Sequence, residues 1–338
     1  MMKRFSRIVL ASVLGFVACT GCTKRAAPQS SSVILSFAVG QAETRAAAEL
    51  ADGSEIHLVS ANEPDLFIAI ANYSGEIVAR YPAVVENESE CLEANDAQAT
   101  VRFNKITNPG SYTVYAVANK TGLWGMNSTL ESASTVSDLE ALFFNVSPST
   151  PNPDYDEVMP LSAVGTLMVK ESLTGQADLD LLRCVAKVGF RFKNDTGAVL
   201  NLSNCIVTIH QINPTQGYLF EHTPDATGDA GDLSLNRSTI TIPKDSSSDM
   251  YEMSTVYPSI APSQAVGSRY LCDISFSLGG DTKEFTNLPI HDSMSQDIQA
   301  LKRNQYLQIE TRISRGLNIS FNFEVMDWTP HTEDVLFH

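Results

Sequence analysis

The sequence contains little positive charge. Its 23 Lys and Arg residues stand against 39 Asp and Glu residues, which gives a formal net charge of −16. This balance argues against nucleic acid and anionic membrane surfaces as partners, because both repel an acidic protein. The chain has 338 residues, of which 43% are hydrophobic. That is enough to bury a core, and the length is typical of two domains.

Motifs of enzyme chemistry are also missing. No two histidines form an i,i+4 pair beside a glutamate, and the folded body has no Gly-rich phosphate loop, nucleophile elbow or Cys-x-x-Cys pair. Three acids near position 155 lack the glycine and the distal glutamate of a calcium loop, which favours a solvated loop. We therefore predict no catalytic, metal or cofactor site. The residues considered are His57, His210, His222, His291, His331, His338, Asp154, Asp156 and Glu157.

Long apolar runs are absent except near the N-terminus. Ile8 to Ala18 is uncharged and apolar, but it is too short to span a bilayer as a mature helix. It follows a short segment that contains three basic residues. This pattern is typical of an export signal, so we predict a signal peptide over residues 1–18.

Two cysteines follow the signal directly. Cys19 and Cys22 each have the small and apolar residues before them that a lipid-accepting cysteine of a bacterial lipoprotein requires. We favour Cys19 because its preceding residues are more apolar, and Cys22 is the alternative. A lipid there would hold the chain on a membrane whatever its charge. Residues 23–31 are small and polar and predict a tether.

The rest of the chain is dominated by short strand-like runs joined by turn residues. We predict an all-β protein with two tandem β-sandwich domains and one or two short helices, over residues 46–180 and 181–338. One helix is predicted from a capping box at Ser137 to Glu140. The strands are predicted at 66–71, 76–81, 99–103, 111–118, 164–169, 181–192, 205–209, 238–242, 270–276, 305–313 and 317–328, with a variable stretch at 223–249.

The first strand-like run precedes an arginine. Alternate apolar residues at 33, 35, 37 and 39 predict a half-buried strand that ends at Gly40. An exposed Arg45–Ala46 bond beyond it would be open to a trypsin-like protease. The other interpretation is an ordinary first strand followed by a loop. The apolar residues are Val33, Leu35, Phe37 and Val39.

The C-terminal end carries a second alternating run. Residues 317–328 predict a strand with one apolar face, and Pro330 interrupts the pattern. Val335, Leu336 and Phe337 then add a further apolar piece. The simpler interpretation of the run is a last strand that returns to its own sheet.

These segments, in this order, resemble the fimbrillins of Bacteroidales, the type V pilin family. The resemblance rests on the lipoprotein signal, the strand before Arg45 and three further segments: Tyr115–Asn119, Arg183–Val188 and Val325–Trp328. It implies two transthyretin-like β-sandwich domains and a structural subunit of an adhesive fimbrium. The implied precursor is lipid-anchored at the outer membrane, and the mature form lies in the extracellular fimbrium.

The resemblance also implies a route of assembly. An arginine-specific surface protease cuts at Arg45–Ala46, the strand with Val33, Leu35, Phe37 and Val39 leaves, and the C-terminal strand of a neighbouring subunit fills the groove. Val335, Leu336 and Phe337 are the implied donor segment. The implied partners are copies of the chain and related fimbrial subunits. Only ten residues follow Trp328, which leaves open a terminal or anchoring subunit that keeps its lipid.

Two further points stay open from the residues alone. The chain could instead be a surface lipoprotein that binds a glycan or protein ligand without polymerising, with exposed aromatic side chains as stacking platforms. Cys205 and Cys272 could pair, although strand-like contexts favour free thiols. The aromatic candidates are Trp124, Tyr218, Phe220, Tyr251 and Tyr257, and the remaining body cysteines are Cys91 and Cys184.

Overall fold

A computed structural model gives the fold of most of the chain. It describes residues 33–39, 59–60, 63–94, 98–104, 106, 108–118, 127–145, 161–170, 175–221, 226–248, 251–256, 259–264, 267–292 and 294–327. Strands dominate these residues, and the helices are short, so the predicted all-β sandwich class is confirmed. None of the described helices has the length and apolar character needed to cross a membrane.

The described secondary structure consists of many short strands and a few short helices. The helices are α1 (Asn127–Ser132) and α2 (Val136–Glu140), and a 3-10 turn covers Arg315–Leu317. The strands are β1 (Val33–Val39), β2 (Val59–Ser60), β3 (Glu63–Pro64), β4 (Leu66–Ala71), β5 (Ile77–Tyr81), β6 (Ser89–Ala94), β7 (Gln98–Phe103), β8 (Gly110–Ala118), β9 (Phe143–Asn145), β10 (Leu161–Val169), β11 (Gly175–Arg183), β12 (Ala186–Asp195), β13 (Leu200–Tyr218), β14 (Ala226–Ile242), β15 (Ser246–Ser247), β16 (Tyr251–Val256), β17 (Ser259–Ile260), β18 (Ser263–Gln264), β19 (Gly267–Ser268), β20 (Leu271–Leu278), β21 (Asp281–Pro289), β22 (Ala300–Leu301), β23 (Gln305–Ser314) and β24 (Asn318–Asp327).

The first sandwich is built from one long strand order, β5-β4-β8-β10-β11-β1-β7-β6. Strands β10 and β11 meet at Leu161–Arg183 and Ser162–Leu182, whereas the rest of β10 pairs with β8 and the rest of β11 with β1. The sheet therefore turns a corner there, and its two halves enclose a shared apolar core. That core draws buried side chains from β1, β4, β7, β8, β10 and β11.

The second sandwich has a separate core. One sheet has the order β15-β12-β23-β24, with β16 also on β12, and the other has the order β14-β13-β20-β21, with β9 on β13. Phe190, Phe192 and Phe276 stack edge to face at its centre. Because β9 precedes β10 in the chain but pairs with β13, the two sandwiches share a hydrogen-bonded ladder.

A third apolar cluster lies where the sandwiches meet. Helices α1 and α2 cover the outer face of β4 and β8, and the cluster continues into Leu219 and Phe220 after β13. Polar contacts follow the same boundary, because the Arg303 guanidinium donates to the Ser162 hydroxyl at 3.1 Å. The contact is between side chains on two different sandwiches, so it ties them together.

Several strand predictions are confirmed, and others are wrong. The β4–β5 hairpin forms, and all six β4 residues are buried, as predicted. The predicted strand over 181–192 is two strands, because the chain bends at Cys184–Val185 and passes from one core to the other. The strand predicted at 238–242 is confirmed as the end of β14, which begins at Ala226 and so runs through much of the predicted variable stretch. The division into domains at 180/181 stays a prediction, and β11 extends past it.

The predicted helix forms with a different cap. Thr135, not Ser137, is the N-cap residue, and its hydroxyl accepts from the Asp138 amide while the Asp138 carboxylate accepts from Thr135. Backbone donation from Ser134 and Thr135 lowers the pKa of Asp138 to about 2. Glu140 does not close the box; it accepts a hydrogen bond from the Tyr115 hydroxyl at 2.8 Å.

The four body cysteines are free thiols. Cys184, Cys205 and Cys272 are buried, and burial raises the pKa of the Cys205 thiol to about 11. A thiol in such a site behaves as a small apolar side chain. The open question of a Cys205–Cys272 disulfide is thus answered in favour of thiols.

A charged clamp joins three strands of the second sandwich. His210 on β13 contacts Asp232 of β14 through Nδ1 and Asp273 of β20 through Nε2, both at 3.0 Å. A carboxylate only accepts hydrogen bonds, so this geometry requires both ring nitrogens to carry protons. Burial lowers the pKa of His210, but the hydrogen bonds and charges of the two aspartates outweigh it, so the pKa is raised.

We predict that this clamp stabilises the fold more at pH 6, where His210 is protonated and the aspartates are ionised, than at pH 9. A raised folded-state pKa gives a stabilisation that is complete below the unfolded value of about 6.5 and is lost as the pH rises through the folded value. Replacing His210 by Asn should therefore lower the free energy of unfolding at pH 6 by about 1 kcal/mol or less and have a smaller effect at pH 9. Urea titrations at both pH values measure this. An effect that grows with pH would contradict the clamp.

Candidate functional site

Strand β1 occupies the interior of its sheet. It pairs in parallel with β11, from Val33 opposite Gly175 to Val39 opposite Leu181. On its other side it pairs antiparallel with β7, from Val33 opposite Phe103 to Ala38 opposite Gln98. No other described strand pairs with both β7 and β11. β1 is therefore the element that joins these two strands into one sheet.

The inward face of β1 is sealed in the core. Val33 and Leu35 are 0% exposed and Phe37 is 1% exposed. Ile34 and Ser36 point to the other face and are half-buried. The predicted alternation is thus confirmed at 33, 35 and 37. Val39 lies in the strand, and its side chain is outside the described residues.

Each inward side chain of β1 has a small residue beside it. Val33 lies between Gly175 and Phe103, Leu35 between Ala177 and Val101, and Phe37 between Leu179 and Ala99. A Cβ atom on Gly175 would stand 3.2 Å from Val33 and 3.0 Å from Val169, so this glycine makes the room that Val33 fills. The walls thus form three apolar pockets, named here by their occupants 33, 35 and 37.

Removal of β1 would expose both the pockets and two strand edges. Burial of each such side chain is worth about 1.5–3 kcal/mol. The peptide groups of β7 and β11 that now pair with β1 would also lose their partners, and an open edge of this kind attracts another strand. The vacated space is therefore chemically suited to an extended, apolar peptide segment.

The connectivity makes β1 separable from the rest of the sandwich. β1 is the first described strand, and residues 40–58, which include Arg45, connect it to β2. A cut in that connection would leave β1 held by non-covalent contacts within the described fold. Arg45 and Ala46, the lipidation candidates Cys19 and Cys22, and the donor residues Val335, Leu336 and Phe337 lie outside the described residues.

At the other end, β24 lies on the edge of its sheet. It pairs with β23 from Asn318 to Asp327, so the alternating run does return to its own sheet, as the simpler interpretation held. The predicted donor segment is the part of the chain that follows this strand. The structure brings the predicted displaced strand together with its groove walls, and the donor residues lie outside the described residues.

Sequence reasoning found one wall of the groove, because the strand predicted at 99–103 is β7, and missed the other. β11 was not recognised as a strand, although Gly175, Ala177, Leu179 and Leu181 alternate with polar residues. This alternation with a period of two indicates a strand. The signal is weak because Gly175 and Ala177, the small residues beside β1, contribute little hydrophobicity.

Two of the aromatic residues considered for sugar binding are now placed. Phe220 is buried and packs edge-on against Tyr115 at 5.0 Å, so it is core and not a stacking platform. Tyr218 is half-buried and lies edge-on to Phe143 at 6.4 Å. The side chains of Trp124, Tyr251 and Tyr257 are outside the described residues. Across the described ranges, no group of three His, Cys, Asp or Glu residues has the geometry of a metal site.

We predict that Phe37 carries much of the stability of the first sandwich. Phe37→Ala leaves a cavity between Leu179 and Ala99 and should lower the free energy of unfolding by about 3–5 kcal/mol. Ser36→Ala, on the opposite face of the same strand, should change it by less than about 0.5 kcal/mol. Urea unfolding measures both. Equal effects of the two substitutions would contradict the burial pattern.

The chain is similar to several solved structures and to one family model. No curated protein matches the chain. Among solved structures, a putative cell adhesion protein from Bacteroides eggerthii is 11% identical over 88% of this chain and 96% of its own, with a TM-score of 0.49. A fimbrilin from Porphyromonas gingivalis is 11% identical over 88% and 97%, with a TM-score of 0.46. A fimbrial assembly protein from Parabacteroides distasonis is 12% identical over 88% and 98%, with a TM-score of 0.43.

The decisive match is to a family model. The model of the fimbrillin-A associated anchor proteins Mfa1 and Mfa2 matches residues 85–334, which is about three quarters of the chain. The matched region begins before β6 and ends after β24, so it includes both walls of the β1 groove and most strands of both sandwiches. The chain therefore belongs to the family of fimbrillin-A associated anchor proteins.

Proposed function

We propose that this chain is a structural subunit of an adhesive surface fimbrium whose first strand is a removable plug. It is exported as a lipoprotein, acylated at Cys19, with Cys22 as the alternative, and held at the outer membrane. An arginine-specific protease then cuts at Arg45–Ala46. The observation that supports this most is the position of β1, which is central in its sheet and yet first among the described strands.

The plug explains how the precursor avoids assembling too early. While the chain is intact, residues 40–58 tether β1 beside its groove and keep its effective concentration high. Cleavage removes that tether, so a strand from a neighbouring subunit competes with β1 on more equal terms. A strand that supplies both ladders and fills pockets 33, 35 and 37 replaces what the plug provided.

The joint that results runs head to tail. The groove lies in the first sandwich, whereas the donor segment with Val335, Leu336 and Phe337 follows β24 in the second. A contact between two different surfaces of neighbouring subunits need not close on itself, and it therefore builds a filament. The three-point link between the sandwiches, through β9, the apolar cluster and Arg303, suits a subunit that carries load along such a filament.

Cleavage at Arg45 should be required for strand exchange. We expect an arginine-specific protease to cut the purified chain after Arg45 and to allow a labelled peptide of residues 31–40 to enter the groove. Arg45→Ala should remain uncut at that bond and should take up no peptide. Native mass spectrometry measures both.

A matched control separates the proposed cut from others. Arg315 is also exposed, in the 3-10 turn before β24, so Arg315→Lys should remove one other target and leave peptide uptake unchanged. Uptake by uncut Arg45→Ala protein at the level of the cut wild type would contradict the proposed maturation.

Lipidation should depend on one cysteine. In cells supplied with labelled palmitate, Cys19→Ser should lose the label and Cys22→Ser should keep it. The reverse pattern would assign the lipid to Cys22, and label retained in the double variant would contradict lipidation at this site. Gel analysis of the immunoprecipitated full chain measures the label.

A further inference from the structure

We propose that the β1 groove rejects the terminal segment of its own chain and accepts a strand from a different fimbrial subunit. This inference rests on the proposed strand exchange and narrows its partner. The expected occupant runs parallel to β11, carries aliphatic side chains in pockets 33 and 35, and places an aromatic ring in pocket 37.

The side chains that flank the three pockets on β7 and β11 include none that could pair with a charge. Their flanking residues are Gly175, Phe103, Ala177, Val101, Leu179 and Ala99, and none of these side chains is polar. The occupants Val33, Leu35 and Phe37 are no more than 1% exposed. A carboxylate placed there would lose its water and find no partner, which is strongly unfavourable.

Two adjacent acids mean that the terminal segment cannot fill these three pockets without burying one of them. In residues 329–338, Glu333 and Asp334 are neighbours, so in an extended strand one of them faces each side. Any three alternate residues taken from this segment include Glu333 if their numbers are odd and Asp334 if they are even. Every register that fills all three pockets from this segment therefore buries an acid.

The best register shows which residue matters most. Placing Val335 in pocket 35 and Phe337 in pocket 37 reproduces the aliphatic and aromatic pattern of β1. It also places Glu333 in pocket 33, in the narrow space that Gly175 provides for a valine. A single acid therefore separates this segment from a good ligand, whereas residues 33–39 contain none.

This exclusion would prevent copies of the chain from joining to one another through residues 329–338. Each copy would accept a strand of another subunit type, or donate its own terminal segment to a groove with different pockets. The junction at this groove is then heteromeric, and the head-to-tail joint of the proposed function connects subunits of different types.

Peptide competition on the cleaved full chain tests the inference. The protein is cut with the arginine-specific protease, loaded with a fluorescent peptide of residues 31–40, and challenged with unlabelled peptides while anisotropy is followed. The challengers are residues 31–40, residues 329–338, the same terminal peptide with Glu333→Val, and a matched control with Asp334→Val.

We expect the terminal peptide to compete at least roughly 30-fold less well than the β1 peptide. Glu333→Val should recover most of that loss, because it places Val, Val and Phe in the three pockets. Asp334→Val should recover less, because its best registers put Thr or His in an end pocket. Equal competition by the terminal and β1 peptides would overturn the inference, as would no recovery with Glu333→Val.

Failure of the underlying exchange gives a different result. If the labelled β1 peptide does not enter the cleaved protein at all, the acceptor groove itself is wrong and the inference falls with it. If that peptide enters and the terminal peptide competes equally well, strand exchange stands and only the exclusion of self is wrong.

Discussion

Strand β1 hydrogen-bonds to β7 on one side and to β11 on the other, and the first sandwich depends on this double pairing. Its hydrogen bonds run parallel on one side and antiparallel on the other, and its buried side chains fill pockets made by small residues on the walls. An internal strand with these contacts is normally a permanent part of a fold. Here it is also the first described strand, so one cut in the following connection converts it into a bound peptide.

The order of features along the chain couples anchoring to assembly in the proposed function. The lipidation candidates and β1 lie on the same side of Arg45, so one cleavage releases the lipid and unlocks the groove together. A copy that keeps its lipid keeps its plug, and it then joins a fibre only as a donor. In a copy that is cleaved, the acids at 333 and 334 would act instead of the plug, because they would keep the terminal segment of another copy out of the open groove.

The local sequence pattern predicted which face of a strand is buried better than it predicted which strands pair with each other. The alternation at 33, 35 and 37 gave the buried face of β1 correctly, since side-chain period depends only on the strand itself. It could not identify β7 and β11 as neighbours, because these pairings join residues about 65 and 140 positions apart. The break at Cys184–Val185 was hidden because both residues are buried at the junction of the sandwiches. Most of β14 was not predicted as a strand because it is an edge strand and contains many polar residues. The N-cap of the helix was predicted at the wrong residue because several residues near 135 have side chains that can cap a helix.

The central claim is that β1, alone among the described strands, joins β7 to β11 and can be withdrawn without unfolding the rest. Amide hydrogen exchange measured by mass spectrometry, before cleavage and after removal of the β1 fragment, tests it most directly. The account predicts that peptides covering β7 and β11 lose protection while those covering β12 and β23 in the second sandwich keep theirs. Unchanged protection in β7 and β11, or loss of protection throughout both sandwiches, would contradict it.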